Sequence, residues 1–361
     1  MSHALIVGGG LIGLLTARAL RARGYAVTVL ERGVLGNEAS VAGGGILSPL
    51  HPWRFPDAVT ALAVRAQARW PALVAELART TDPEHRSGGM LVVGDADDPR
   101  EVSAWAERHG VALESVSPAQ LVTAEPGLGA ARGHAWLLPE VASVNPPAVL
   151  RGVATLAARE GITLRENTPV TGLVTEADRT IGVETSEGRI AAEQVVVCAG
   201  AWSPALLDGL GARPPGIRPI RGQMLAFAGE PGWLRRIVLS DGHYLIPRHG
   251  GTIVAGSTLE DVGFDARATD SARGELAAAA AELLPALADA PITDHWAGLR
   301  PGSDDGVPTI AAHPRIAGLW VNAGHFRNGI VTAPASAELA AALIAGDAAP
   351  LDAAPYGWPA E

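Results

Sequence analysis

Three glycines near the N-terminus have the spacing of a nucleotide-binding turn. Gly8, Gly10 and Gly13 form a Gly-x-Gly-x-x-Gly pattern between an apolar run at 3–7 and a helical stretch at 14–23. Such glycines allow a tight turn, close approach of the backbone to a diphosphate and packing of the helix on the strand. The free amides at the helix N-terminus, here at Leu11 and Ile12, can then bind the diphosphate. The alternative is an ordinary tight turn between a strand and a helix.

An acidic residue follows at the distance that such a site requires. A second apolar strand at 26–30 ends at Glu31, which lies 18 residues after Gly13 (31 − 13). A carboxylate there can accept both ribose hydroxyls and repels a 2′-phosphate. We therefore expect a dinucleotide without that phosphate, and we assign the adjacent Arg32 to the same site. These residues leave the choice between FAD and NAD open.

Three further loops combine glycine with residues that can contact a cofactor. EASVAGGGILSP at 38–49 follows the second strand, AGAWSP follows an apolar strand at 194–198, and GHFRNGI at 324–330 precedes an apolar helix. Consecutive glycines let the backbone lie flat against a bulky planar ring, and Ser40 can donate to a phosphate. We expect cofactor contacts from Ala39, Ser40, Gly43, Gly44, Gly45, Ile46, Val170, Ala199, Gly200, Trp202, His325, Arg327, Asn328, Gly329 and Ile330.

Composition excludes several classes of protein. The 361 residues carry a formal charge of −10, which disfavours a nucleic acid or an anionic membrane as the main partner. No segment approaches the roughly 18 uninterrupted apolar residues of a membrane helix, and we expect a cytoplasmic protein. Cys198 is the only cysteine, so an intrachain disulfide and a multi-cysteine metal site are excluded. Lysine is absent, so Schiff-base catalysis and a Walker lysine are excluded too.

The order of the elements predicts an α/β protein with two domains. Parallel α/β patterns at 1–80, 146–210 and 300–361 predict a discontinuous, Rossmann-like dinucleotide-binding domain. The intervening residues 81–145 and 211–299 predict an α+β substrate domain with an antiparallel sheet. Its strands are expected at 217–228, 236–240, 243–248 and 252–257.

Several motifs together resemble a known family along nearly the whole chain. These are AGGGILSPLHPWR, VVVCAGAWS, GHYLIPR, GSTLEDVGFD, WAGLRPGSDDGVP and GHFRNGI. They resemble the FAD-dependent amine oxidases of the D-amino-acid oxidase and sarcosine oxidase superfamily, and most of all the glycine oxidases of bacterial thiamine biosynthesis. The resemblance implies FAD, with GHFRNGI along the pyrimidine edge of the flavin. Amides at the start of the following helix would stabilise the negative charge of the reduced ring.

The resemblance also assigns the residues of a substrate site. Arg300 matches the arginine that binds the substrate carboxylate, Tyr244 adds a contact through its hydroxyl, and the carbonyl of Arg327 receives the amine. An interdomain ion pair is the alternative for Arg300. The histidines near the site loops, His51, His243 and His325, are interpreted as hydrogen-bonding scaffold residues, and no general base is assigned. Trp53 and Ile246 either border the pocket or belong to the core, and Asp304 and Asp305 are expected in a solvated turn.

The implied reaction is oxidation of glycine, and of small amines such as sarcosine or D-amino acids, to the imine. Hydride passes to flavin N5, and oxygen then reoxidises the flavin to give hydrogen peroxide. Water hydrolyses the imine to glyoxylate and ammonia. The resemblance also implies a homo-oligomer and transfer of the imine to thiazole synthase. The sarcosine oxidases tether their flavin through a late cysteine and use a lysine near the ring, so this sequence predicts non-covalent FAD. The alternatives are a dehydrogenase with another electron acceptor, a flavin domain acting on tRNA, and a flavin-binding module without enzymatic activity.

Overall fold

The computed structural model describes residues 2–94, 96–129 and 133–359. Its strands are β1 His3–Val7, β2 Ala26–Leu30, β3 Arg86–Ser87, β4 Met90–Val93, β5 Glu114–Val116, β6 Ala135–Leu138, β7 Ala142–Ser143, β8 Thr163–Arg165, β9 Val170–Glu176, β10 Arg179–Thr185, β11 Gly188–Ala191, β12 Gln194–Val197, β13 Arg218–Ala228, β14 Ile237–Ser240, β15 His243–Pro247, β16 Thr252–Gly256, β17 Ile292–Gly302, β18 Thr309–Ala312 and β19 Leu319–Ala323. Its α-helices are α1 Leu11–Arg21, α2 Ala39–Ala42, α3 Asp57–Gln67, α4 Trp70–Leu77, α5 Pro99–His109, α6 Pro118–Ala124, α7 Pro146–Arg159, α8 Ser203–Leu207, α9 Asp270–Leu283 and α10 Gly329–Ala345.

The first sheet brings the carboxyl ends of three strands together. Its order is β18-β19-β12-β1-β2-β8, and all neighbours are parallel except β18 and β19. Val7 of β1 pairs with Val197 of β12, which pairs with Val321 of β19. The loops that follow these strands therefore leave the sheet at one edge. Ligands of open α/β sheets bind outside this edge, so the topology gathers three of the glycine loops at a single place.

The second sheet has the order β17-β13-β16-β15-β14-β4-β6-β5, and its pairs are antiparallel except β14 with β4. Helix α9 covers one face, where Leu276 and Leu283 pack with Phe227 and Leu245. Strands β13 and β17 are long partners, and Ile220 pairs with Arg300. The boundary that the sequence predicts between 299 and 300 lies within β17. The domain limits stay a prediction, and the strand that carries Arg300 belongs to the second sheet.

Helix α10 is a core helix that packs beside the first sheet. The segment 326–345 is long and apolar enough to cross a membrane by length and composition, with a mean hydropathy of 1.3, although Arg327 and Glu338 interrupt it. In the fold, 67% of this stretch is buried, and the helix packs against α1 and α3. The helix is therefore apolar because it packs in the interior of the protein.

The segment from about 58 to 79 has a helical sequence pattern and forms two helices in the structure. Helix α3 ends at Gln67 and α4 begins at Trp70. Pro71 lies in the first turn of α4, where its missing amide leaves no helical bond unmade. Trp70 is fully buried and its indole donates to the Val331 carbonyl at 3.0 Å. The division lets Trp70 reach α10 from the start of a new helix.

Candidate functional site

One cavity of about 370 Å³ connects the glycine loops of the first sheet with the second sheet. This volume is within the range of roughly 300–1,000 Å³ that is usual for ligand pockets. The lining includes most of the residues predicted from the sequence, namely Gly8, Gly10, Ile12, Glu31, Arg32, Ala39, Ser40, Gly43, Gly44, Gly45, Ile46, Val170, Ala199, Gly200, Trp202, Tyr244, Arg300, His325, Arg327, Gly329 and Ile330. Leu11, Gly13 and Asn328 lie behind this lining.

The first glycine loop is packed too tightly for side chains. Gly8 has φ +113°, and a Cβ there would lie 2.4 Å from the carbonyl oxygen of Cys198, the residue that follows β12. A Cβ on Gly13 would lie 2.0 Å from the Gly8 carbonyl oxygen. Glycine at these two positions is therefore needed for the packing of β1, α1 and β12, and Gly13 acts behind the cavity rather than at its surface.

Glu31 and Ser40 present polar atoms to the cavity in defined orientations. The buried Glu31 carboxylate accepts from the amides of Gly9 at 2.8 Å and Gly33 at 3.0 Å. The Ser40 hydroxyl accepts from the Leu11 amide at 3.0 Å. Its own proton has no acceptor within the described parts of the chain, so Ser40 can still donate to a ligand. The Leu11 amide donates to Ser40 and not into the cavity, so Leu11 contributes to the site only through Ser40.

Arg32 and Trp202 stack at the rim of the same cavity. The Arg32 guanidinium carbon lies 3.6 Å from the centre of the Trp202 ring, and the side chain also pairs with Glu38. Phe264, from the loop after β16, contacts Trp202 with ring centres 5.2 Å apart. Cation–π and aromatic contacts of this kind hold the loops after β2 and β12 together.

The glycines at 43–45 contact protein as well as the cavity. A Cβ on Gly44 would lie 2.9 Å from Ile246 Cδ1 and 3.2 Å from Tyr244 Cε2. Gly45 has φ +75°, and its Cβ would lie 2.0 Å from the Val144 carbonyl oxygen. The sequence alone predicts only contact between these glycines and a flat cofactor ring. The structure adds close packing against β15, which leaves Ile246 in the core and outside the lining.

Arg248 ties this glycine loop to the second sheet. Its guanidinium donates to the carbonyls of Gly44 and Val144, the latter at 2.7 Å. Burial lowers the pKa of Arg248 to about 10, and Glu84 acts in the opposite direction. The sequence prediction contained no such role, although the alternation of Tyr244, Ile246 and Arg248 along one strand face was the available signal.

The loop before α10 rests on a chain of buried hydrogen bonds. Ser336 Oγ donates to Asn322 Oδ1 at 2.7 Å, and Asn322 Nδ2 donates to Thr16 Oγ1 at 3.1 Å. Because the Ser336 proton is used in this way, Ser336 accepts from His325 Nε2, which lies 2.7 Å away. Burial lowers the pKa of His325 to about 3, so its ring is neutral at physiological pH. These contacts fit a scaffold role for His325, and Asn322 and Thr16 were missed from the sequence.

Arg300 and Tyr244 lie together at the second sheet. Arg300 donates to Ser257 Oγ at 2.8 Å and to the Thr258 carbonyl at 3.1 Å. Its guanidinium lies directly over Gly222, where a Cβ would be 2.0 Å from Nη1. Burial lowers the pKa of Arg300, the neighbouring Tyr244 raises it, and Arg327 lowers it further. No salt bridge within the described residues involves Arg300, so the structure does not contain the ion pair considered from the sequence.

The remaining candidates lie outside the cavity lining. His51 contacts the Trp53 ring with centres 6.0 Å apart, and the Trp53 indole donates to Asp97. His243 lies 3.9 Å from Glu275. Asp304 pairs with Arg218 at 2.6 Å, and Asp305 accepts from the Val307 amide in an exposed turn, as the sequence predicts for these two residues.

Comparison with known proteins gives a consistent result. Residues 3–343 match the family described as FAD dependent oxidoreductase. The glycine oxidase of Pseudomonas aeruginosa is 47% identical over 355 residues, which cover 98% of this chain and 97% of that protein. The bifunctional protein ThiO/ThiG of Trichormus variabilis is 32% identical, with 94% of this chain and 52% of that protein covered.

A solved structure is similar over the entire chain. The crystal structure of glycine oxidase from Geobacillus kaustophilus superposes with a TM-score of 0.93 at 28% identity, and the match covers 100% of both chains. Its fold agrees with the α/β class and the antiparallel second sheet expected from the sequence. The glycine-loop cavity, the family match and these relatives have one explanation: the chain belongs to the FAD dependent oxidoreductase family and is an enzyme with FAD as its cofactor.

Proposed function

We propose that this enzyme is an oxidase of glycine that also accepts small amines such as sarcosine and D-amino acids. The observation that carries the proposal is Arg300, a half-buried cation without a salt-bridge partner in the described chain, beside Tyr244 in the FAD cavity. A planar guanidinium binds a carboxylate through two parallel hydrogen bonds. The 47% identity to a glycine oxidase over nearly the whole chain supports the same substrate.

The cavity fits FAD by the chemistry of its donors and acceptors. Gly8 and Gly10 allow close approach at the first loop, Ser40 retains a free proton for a phosphate, and Glu31 retains lone pairs for ribose hydroxyls. Gly43 to Ile46 and His325 to Ile330 would hold the flavin end, with Val170, Ala199, Gly200 and Trp202 between. Bound FAD would accept a hydride from the substrate Cα and pass the electrons to oxygen. We propose that it is held without a covalent bond.

The chain's own residues would orient the substrate. Arg300 and the Tyr244 hydroxyl would bind the carboxylate, and the Arg327 carbonyl would accept from the amine. No lysine or cationic histidine is needed, since a neutral amine itself assists loss of hydride from Cα. Overall, glycine, oxygen and water give glyoxylate, ammonia and hydrogen peroxide, and all atoms balance. The amides at the start of α10 would stabilise negative charge near the flavin's pyrimidine edge.

The other expectations from the sequence are part of this proposal. Residues 1–80, 146–210 and 300–361 would form the FAD-binding domain, and residues 81–145 and 211–299 the substrate domain. The ThiO/ThiG relatives support a role in thiamine biosynthesis and transfer of the imine to thiazole synthase. We propose a cytoplasmic homo-oligomer that uses neither nucleic acid nor a membrane as its main partner.

Product analysis tests the proposal. The purified holoenzyme with glycine should consume oxygen and form equimolar glyoxylate, ammonia and peroxide. Arg300→Ala should keep its FAD and lose about 2–5 kcal/mol of glycine binding if the site is desolvated. Arg218→Ala, which removes an exposed arginine from the same sheet, is the control. Glyoxylate in an amount no larger than the bound FAD, without peroxide, would indicate a dehydrogenase that needs another electron acceptor, and absence of glyoxylate would reject glycine as the substrate.

A further inference from the structure

The guanidinium of Arg300 is held by three acceptors of the protein. Nη1 donates to the carbonyls of Thr258 at 3.1 Å and Arg221 at 3.4 Å, and Nη2 donates to Ser257 Oγ at 2.8 Å. A guanidinium has five N–H donors. Within the described chain, these three bonds leave one donor on Nε and one on Nη2. The nearby Tyr244 hydroxyl interacts with the same guanidinium and raises the pKa of Arg300.

Nε and Nη2 are the two nitrogens that bind carboxylates elsewhere in this protein. Arg267 donates from Nε and Nη2 to the two carboxylate oxygens of Asp265, both at 2.9 Å. Arg65 uses the same two nitrogens toward Glu338, at 3.1 and 2.9 Å. Two parallel bonds of this kind match the planar carboxylate group. The donors that the protein leaves on Arg300 are therefore on the nitrogens that suit a substrate carboxylate.

Ser257 is the only one of the three acceptors that uses its side chain. The residue is 8% exposed and lies outside the cavity lining, whereas Arg300 is part of that lining. Contacts at Nη1 alone would allow the planar guanidinium to pivot about that nitrogen. The bond from Nη2 to the Ser257 hydroxyl prevents this rotation, so Ser257 can influence a ligand in the cavity through Arg300.

The segment that begins with Ser257 is itself fixed to strand β13. The Gln223 amide donates to Thr258 Oγ1 at 2.9 Å. Arg221 and Glu260 exchange backbone hydrogen bonds of 2.9 and 3.0 Å, and their side chains pair at 2.5 Å. The sheet therefore sets the position of the Ser257 hydroxyl before any ligand binds.

We propose that Ser257 is a positioning residue, which orients the Arg300 guanidinium so that its Nε and Nη2 donors bind the substrate carboxylate side-on. This inference rests on the proposed function. A long arginine side chain that is already oriented loses less conformational freedom when the ligand binds. Removal of the Ser257 hydroxyl should therefore weaken carboxylate binding by about tenfold, which corresponds to one hydrogen bond to a charged group.

An unreactive ligand measures this effect on binding alone. Methoxyacetate has the carboxylate of glycine and an ether oxygen in place of the amine. It is titrated into oxidised holoenzyme, and the change in the flavin spectrum gives its Kd. Ser257→Ala should retain FAD and raise this Kd by about tenfold. Ser257→Thr retains the hydroxyl and should stay close to the wild-type Kd.

Two further variants complete the comparison. Ser240 is buried in β14 of the same sheet, and its hydroxyl makes no hydrogen bond within the described residues, so Ser240→Ala should leave the Kd unchanged. Ser257→Cys has a thiol, which is a weaker acceptor, and should give a Kd between those of the wild type and Ser257→Ala. This variant gives a result even if Ser257→Ala loses its FAD.

An unchanged Kd in Ser257→Ala, while Arg300→Ala weakens methoxyacetate, would overturn the proposal and leave the substrate site in place. Equal weakening in Ser257→Ala and Ser257→Thr would also overturn it, because the hydroxyl would not be the cause. An unchanged Kd in Arg300→Ala would instead refute the carboxylate site of the proposed function. The expected effect of Ser257→Ala in an enzyme that does not oxidise glycine would support the positioning role and refute the glycine assignment alone.

Discussion

A single methyl group at Gly222 should displace Arg300, the arginine that we propose binds the substrate carboxylate. Gly222 lies within β13, opposite Gly298, and its backbone does not have a left-handed φ. Alanine is therefore compatible with the strand. Its Cβ would lie 2.0 Å from Arg300 Nη1, 2.1 Å from Cζ and 2.1 Å from Nη2. These atoms are the end of a flexible side chain, so we expect Gly222→Ala to fold with the guanidinium moved.

The size of the effect follows from the required displacement. Carbon atoms in contact are separated by about 3.5–4.0 Å, so the guanidinium must move by roughly 1.5 Å. A hydrogen bond to a charged group contributes about 1.5–3 kcal/mol, so its loss weakens binding by roughly 10- to 150-fold. We expect glycine binding to weaken by about 100-fold, or about 2.8 kcal/mol. The loss should not exceed that of removing the Arg300 side chain.

The assay is anaerobic reduction of the bound flavin at increasing glycine concentrations, which gives the apparent Kd. Gly274→Ala adds the same methyl group in α9, where no atom lies within 4 Å of the new Cβ, and should leave this Kd unchanged. FAD content should be unchanged in both variants. An unaltered glycine Kd in Gly222→Ala would refute the placement of Arg300 in the substrate site, because the methyl group cannot coexist with the observed side chain.

Further predictions concern the loops around the cofactor. Arg248→Met should destabilise the protein by about 2–4 kcal/mol in urea unfolding, since the Gly44 and Val144 carbonyls lose a cationic donor; unchanged stability would contradict this. Gly45→Ala should lose FAD on gel filtration, because φ +75° and a Cβ 2.0 Å from Val144 O exclude a side chain, whereas Gly172→Ala, with open space, should retain it. The pKa of His325 is about 3 when folded and near its ordinary 6.5 when unfolded, so the unfolded chain binds more protons between these values. Stability from His325 is therefore complete above about pH 6.5 and is lost as the pH falls toward 3, and the Tm of His325→Gln should fall less over this range than that of the wild type. Acid precipitation should leave FAD in the supernatant, and a yellow pellet would indicate a covalent link.

Local patterns predicted those features that depend on neighbouring residues. The spacing of Gly8, Gly10, Gly13 and Glu31 predicts a strand, turn, helix and second strand, and the structure contains them. Because parallel strands end at one edge, the loops after β1, β12 and β19 could be placed together without coordinates. The role of Arg300 at the substrate is implied by the family resemblance of its motif and stays a prediction, and the structure places Arg300 in the wall of the cavity.

Contacts between distant segments could not be predicted. Arg248 and the Gly44 carbonyl are 204 residues apart, and Asn322 and Thr16 are 306 apart. No local pattern indicates which carbonyl a buried arginine will reach. Gly222 is a similar case. A glycine within a strand weakens the strand, and glycine is required here because the Arg300 guanidinium packs directly above it. These positions depend on the packing of one sheet against loops of the other.

The most direct test of the account is the absorbance of the bound flavin during anaerobic mixing with glycine, followed by admission of air. Loss of the yellow absorbance, and its recovery with formation of peroxide, is the result that the account predicts. Bleaching that does not recover in air would contradict the oxidase assignment. An unchanged spectrum at saturating glycine would contradict the proposal that Arg300, Tyr244 and the Arg327 carbonyl form a glycine site.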